Sequence, residues 1–350
     1  MNADFVRLLS AIRNPESMVG LSASDWDALL RHGRAAGLLS RMALDLRALD
    51  ALDNLPEAVQ RHMLAAVFVA ERQIRAVRWE VHKLHDAIGR LDVPVVLLKG
   101  AAYVMGDLPP ARGRIFGDID ILVPRPELAL IEQQLEYHGW FGSHHDEYDQ
   151  RYYREWMHEI PPLTHITRGS TLDVHHNILP LTARLKVKAS ALFNDLIPIE
   201  GYQNFFRLSN PKLILHSALH LFHEGEWGHG LRDLVDLHAL LRCFGSEPGF
   251  PKSLALDAQR LNCERPLADA LRYCQYLLGG VFNYPSPSFS TSLRTRSMNN
   301  LFLHGFRAAH PDLDTRLGRN WLFLLYIRSH WLRMPMRLLV PHLARKMSSR

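Results

Sequence analysis

Gly117-Asp118-Ile119-Asp120-Ile121-Leu122-Val123 is the stretch that decides how this 350-residue chain is to be read. A strand has a side-chain period of two, so Ile119 and Ile121 turn into a core while Asp118 and Asp120 turn out together, placed to grip one divalent metal ion. Upstream, Val93-Pro94-Val95-Val96-Leu97-Leu98 is a short apolar run that breaks into Lys99-Gly100-Ala101-Ala102. That pattern predicts a buried strand, a glycine turn and the start of a helix. Such a turn can offer backbone N–H groups to a phosphate, and Lys99 adds a positive charge beside it. Downstream, Thr171-Leu172-Asp173-Val174-His175 alternates again, making Asp173 a candidate third carboxylate with His175 on the same face.

Three acids on two strands facing a glycine turn are what metal-assisted nucleotidyl transfer needs. Leu97-Leu98-Lys99-Gly100, Arg114 four residues ahead of Asp118, the Asp118-to-Val123 strand and Leu172-Asp173-Val174-His175 occur here in that order. Together they resemble the uncharacterised bacterial nucleotidyltransferase family of the DNA polymerase β-like superfamily. Leu215-His216, His220 and Leu231-Arg232-Asp233-Leu234-Val235-Asp236-Leu237 are similar to that family's C-terminal helical signature.

The resemblance implies an α+β fold: a polymerase β-like core, a short mixed sheet with helices, flanked by N-terminal and C-terminal helical regions. It implies that Asp118, Asp120 and Asp173 are catalytic and hold Mg²⁺, with Mn²⁺ as an alternative. Lys99, Gly100, Ala101, Arg114, His175, His216, His220, Arg232 and Asp236 would contact a nucleoside triphosphate, expected to be ATP. The activity implied is transfer of a nucleoside monophosphate to an unknown hydroxyl acceptor, small molecule, peptide or protein, with release of pyrophosphate. Two departures bear on it. The superfamily's Gly-Ser turn is Lys99-Gly100-Ala101 here, with an insert containing Pro109 and Pro110 before the acids, and the third acid is Asp173 where many family members carry glutamate, so that a shorter side chain must sit closer to the metal. The missing serine keeps open the alternative of a non-catalytic nucleotide-binding or protein-interaction module of the same fold.

Around this core the grammar is helical. Residues 1–90 carry apolar residues at helical spacing, with Ala23-Ser24-Asp25 as a cap before Trp26–Leu38 and a long stretch from Pro56 to Leu91. Residues 91–205 form the α/β segment, with a helix over Glu127–His138 stopped at Gly139. From Ser209-Asn210-Pro211 onward, residues 206–350 return to helix over Leu213–Phe222, Gly230–Leu241 and Leu254–Leu278, and Tyr284–Ser288 reads as a loop. His216, His220, His223, His229, Asp233, Asp236 and His238 make the densest His/Asp cluster. A zinc site there is a rival reading to a substrate-facing wall.

With 47% hydrophobic and 22% charged residues the chain can bury a substantial core. Its formal charge of +5 favours anionic partners without giving a nucleic-acid signature. Cys243, Cys263 and Cys274 form no CxxC, and Met1–Arg13 lacks the apolar core of a signal peptide, so a cytoplasmic location is expected. Trp321–Val340 is broken by Arg328, Arg333, Pro335 and Arg337, which argues against a transmembrane span and leaves a single weak peripheral-membrane signal.

Overall fold

Amphipathic spacing folds most of residues 3–88 into helices. The computed structural model describes residues 3–142, 146–223, 225, 227–280, 293–307 and 316–341. It opens with α1 (Ala3–Arg13), α2 (Ala23–Ala35), α3 (Leu39–Ala48) and α4 (Glu57–Ile88). The cap of α2 is Ser22, one residue ahead of the expected trio, because its Oγ accepts the Asp25 N–H at 3.2 Å.

Among the described residues seven short strands follow: β1 (Val95–Leu97), β2 (Ile119–Leu122), β3 (Trp140–Gly142), β4 (Leu163–His165), β5 (Thr171–His175), β6 (Ile197–Pro198) and β7 (Phe205–Arg207). They join one mixed sheet in the order β3-β4-β5-β2-β1-β7-β6. β1 lies antiparallel to β2 and parallel to β7, and β2 lies parallel to β5. Val95, Val96, Leu97 and Leu98 are fully buried, as a central strand covered on both faces requires. Each such side chain contributes roughly 1.5–3 kcal/mol of burial. Between strands run α5 (Lys99–Met105), α6 (Leu128–Tyr137) and α7 (Glu147–Arg151), and α4 packs across α3, α5 and α6.

The chain then returns to helix: α8 (Asn210–His223), α9 (Gly230–Phe244), α10 (Phe250–Arg260), α11 (Glu264–Leu278), α12 (Leu293–Arg307) and α13 (Arg316–Arg333). The helix expected over Leu254–Leu278 is two helices, α10 and α11. Asn262 takes a left-handed φ of 58° and the Cys263 N–H turns back to the Ala258 carbonyl, which ends the first. The expected loop at Tyr284–Ser288 lies outside the described residues. One continuous hydrophobic core runs from Phe5 to Leu325 and joins helices and sheet. The architecture is α+β, a mixed sheet flanked by helices. Among the described residues no helix is long and apolar enough to cross a membrane.

Candidate active site

Parallel strands at matched register present equivalent residues on one face, and β2 and β5 pair so that Asp120 stands opposite Asp173. Ile119, Ile121, Leu172 and Val174 fill the other face and are buried. Asp120 is itself 3% exposed, whereas Asp118 lies just before the strand begins and is exposed. Asp120, Asp173 and His175 each offer a donor atom within 4.8 Å of the others. Asp118 stays outside that group but is near enough to act electrostatically on Asp173.

The two carboxylates differ in their partners. Asp120 Oδ1 accepts from His175 Nε2 at 2.9 Å and from Lys99 Nζ at 3.3 Å. Burial alone would raise its carboxyl, but Lys99 and His175 outweigh burial and hold it well below the usual carboxylate range. His175 Nδ1 faces Glu159 Oε2 at 3.2 Å. Burial works against the charged imidazole, yet the bond to Asp120 and the charge of Glu159 outweigh it and push His175 up, favouring its protonated form between the two acids. Asp173 has weaker support, from the charge of His175 alone: its Oδ1 is buried without a hydrogen-bond partner. Burial first, then the charge of Asp120, pushes its carboxyl up to about 7. A buried carboxylate oxygen with no donor, beside a second acid, is short of positive charge. That deficit and the oxygen-rich donor set fit a hard divalent cation.

Lys99 stands where β1 turns into α5, and its φ of 41° is a left-handed conformation unusual for a residue with a Cβ. Strain of this kind persists only where the surroundings impose it. Gly100 and Ala101 follow inside the buried first turn of α5. A Cβ on Gly100 would come within 2.7 Å of the Phe116 ring, so glycine is what lets the insert close over this turn.

Beyond Asp120, Lys99, Tyr103, Arg114, Ser217, His220 and Asp233 line a narrow cleft with Asp236. Arg114 ion-pairs with Asp236 and lies 3.7 Å from Asp233. Its guanidinium sits over the Tyr103 and Phe116 rings, 5.5 and 5.9 Å from their centroids. Arg232 turns to its neighbour Asp233 at 2.9 Å. Asp236 is 1% exposed and also accepts from Arg41 at 2.8 Å, so it faces guanidinium groups more than the cleft. Ser217 Oγ donates to the Leu213 carbonyl, which leaves Tyr103 to donate to Ser217 at 2.6 Å. His216 is buried on α8, where burial and then Lys99 drive it well below its ordinary value; it stands in this site as a neutral group.

The structure thus gathers Asp120, Asp173, His175 and Lys99 in one cluster and Arg114, His220, Arg232 and Asp236 in an adjoining one. Among the described residues the α8–α9 histidines do not bring three donors to one point, so the zinc reading finds no support there. Glu159, Tyr103 and Arg41 escaped the sequence reading. Tyr103 is four residues after Lys99 and shares its helix face, a legible signal. Glu159 and Arg41 arrive from distant segments and carry none.

The insert that delivers Arg114 is anchored at Gly113, whose φ is 69° and whose carbonyl accepts from Ser40 Oγ. A Cβ there would meet the Arg41 backbone nitrogen at 2.7 Å. Gly113→Ala should therefore cost roughly 2–4 kcal/mol, combining left-handed strain with overpacking. Urea unfolding measures it, and an unchanged midpoint would contradict the close approach.

A family model described as "Uncharacterised nucleotidyltransferase" matches residues 22–279, well over half of the chain. No curated protein and no solved structure matches it. The matched span contains every element of the site just described, from Arg41 on α3 to Asp236 on α9, and the chain belongs to this uncharacterised nucleotidyltransferase family, whose general chemistry is nucleotidyl transfer.

Proposed function

We propose that the protein is a divalent-metal-dependent nucleotidyltransferase that moves a nucleoside monophosphate from a nucleoside triphosphate to a hydroxyl-bearing acceptor. The observation that carries this reading is the side-by-side placement of Asp120 and Asp173, with one oxygen of Asp173 buried and unpartnered. Asp120 and Asp173, with Asp118 at the rim, would hold Mg²⁺ or Mn²⁺. Such an ion supplies charge neutralisation at phosphate and acidification of a bound hydroxyl.

The chain's own groups account for the rest. Lys99, poised between Asp120 and the cleft, neutralises triphosphate oxygens as the bond between the α- and β-phosphates breaks. Arg114, fixed by Asp233 and Asp236, presents a guanidinium beside it. Asp173, which a bound cation would hold in its ionised form, is placed beside Asp120 to take the acceptor's hydroxyl proton. His175, clamped by Glu159, keeps Asp120 aimed. One oxygen–phosphorus bond forms, one breaks, and pyrophosphate leaves.

The direct test is pyrophosphate release from each labelled nucleoside triphosphate, ATP first, with Mg²⁺ and small-molecule or protein fractions of a cell extract, asking which fraction becomes labelled. Lys99→Met should raise the KM for the triphosphate about tenfold or more by removing a charge-assisted contact. Saturable triphosphate binding without pyrophosphate release from any fraction would favour the non-catalytic alternative.

A further inference from the structure

Behind the transfer cleft, on the other side of α9, the fold forms a second cavity, open on one side, of about 480 Å³. Arg13, Arg41, Arg112, Arg242 and His238 line it, and its one acid is Asp45. Three of the arginines are held by the fold. Arg13 donates to the Leu277 and Tyr276 carbonyls at 2.6 and 2.8 Å, ending α11. Arg112 donates to the Leu44 carbonyl at 2.7 Å and reaches Asp45 at 3.3 Å. Arg41 donates to Pro110 and Asp236. Each guanidinium carries five N–H donors, so these bonds fix its orientation without exhausting it. Arg242 is exposed at the mouth, and among the described residues it makes no hydrogen bond or ion pair.

Charge in this cavity does not balance. Four guanidinium groups face one carboxylate of their own, and Asp236 is shared with Arg114. Burial lowers Arg41 to about 10, with only partial relief from Asp45. The cavity's size is that of a small-molecule pocket, and pre-oriented guanidinium groups suit oxyanions, which they bind bidentately.

We infer that this cavity is a binding site for a small anion bearing phosphate or carboxylate groups, distinct from the nucleotide cleft. The ligand is of metabolite size, because about 480 Å³ walled by α1, α3, α9, the end of α11 and the Pro109–Arg112 insert is the volume of a small-molecule pocket. The two sites meet at Asp236, which touches Arg41 on one side and Arg114 on the other. An anion drawing on Arg41 competes with Asp236 and is felt in the transfer cleft.

The site does not depend on the transfer reaction and is tested without it. Chelator-treated, desalted protein is titrated calorimetrically with inorganic pyrophosphate and, separately, with citrate. The expected result is saturable binding of at least one, weakened about tenfold or more by Arg242→Glu and by Ala239→Glu, which puts a carboxylate into the lining. Lys99→Met leaves unchanged the part of the binding that the two glutamate variants weaken. Response to pyrophosphate alone assigns a phosphorylated ligand, and response to citrate alone a carboxylate one. Two outcomes overturn the inference: no saturable binding of either anion up to about 10 mM, or binding lost with Lys99→Met and kept in both glutamate variants, which would place the anion in the cleft. Arg242 is solvent-exposed, so its substitution is compatible with folding, and thermal unfolding confirms that both variants are native.

Discussion

Asp173→Asn should lower pyrophosphate release about 10²–10⁴-fold, the scale of losing a general base, while leaving the ion-free protein as stable as the wild type or more so. The second half follows from the sign of the Asp173 shift. Folding raises this carboxyl from 3.8 to about 7, so its ionised form costs more in the native state than in the unfolded chain. Its contribution to stability is therefore complete below about pH 4 and is lost as pH climbs towards 7. The loss is on the order of 1–4 kcal/mol. Asparagine cannot ionise, so the difference between the wild-type and Asp173→Asn unfolding curves should open across that window. Added Mg²⁺ should close most of the gap in the wild type and do little for the variant. Full transfer activity in Asp173→Asn would place the chemistry elsewhere, and parallel pH profiles would remove the charge deficit on which the metal assignment rests.

The largest expected loss of stability belongs to Asp236→Ala. Arg114 and Arg41 have side chains only 11% and 13% exposed, and Asp236, at 2%, ion-pairs with both. Removing the anion strands two buried guanidinium groups that have carbonyls, aromatic faces and the more distant Asp233 and Asp45 to turn to. Breaking a buried pair by deleting one partner costs about 3–5 kcal/mol. For a chain of this size that is a fall in Tm of about 4–7 °C. Adding Arg114→Met should recover part of it, because one unpaired buried charge is then gone. A Tm within a degree of wild type would show that Asp236 is not the anchor of this network. Pyrophosphate release should fall with the single variant as well, since Arg114 loses its fixed position.

Much of this architecture was legible in local sequence. The spacing of Ile119 and Ile121 against Asp118 and Asp120, the Val95–Leu98 run and the turn at Lys99-Gly100 placed the sheet, the turn and the acidic pair. Side-chain alternation on a strand depends only on backbone geometry. The family resemblance rested on those residues together with Arg114, Leu172–His175 and the helical signature from Leu215 to Leu237. Less legible was the division of labour. Asp118 and Asp120 look equivalent in the sequence, yet one ends at the exposed rim and the other is buried beneath Lys99 and His175.

The sequence by itself determined that strands, a glycine turn and helices follow in this order, and that three acids and a lysine accompany them, because these depend on periodicity and on turn chemistry between near neighbours. Only the tertiary structure decided which acid keeps a bare oxygen, that Glu159 backs His175, and that Arg41 and Arg114 converge on Asp236 from segments nearly two hundred and more than a hundred residues away. Those outcomes depend on burial and on charges brought together across the fold. Their energies are set by local dielectric and by distance in space, neither of which is encoded in spacing along the chain.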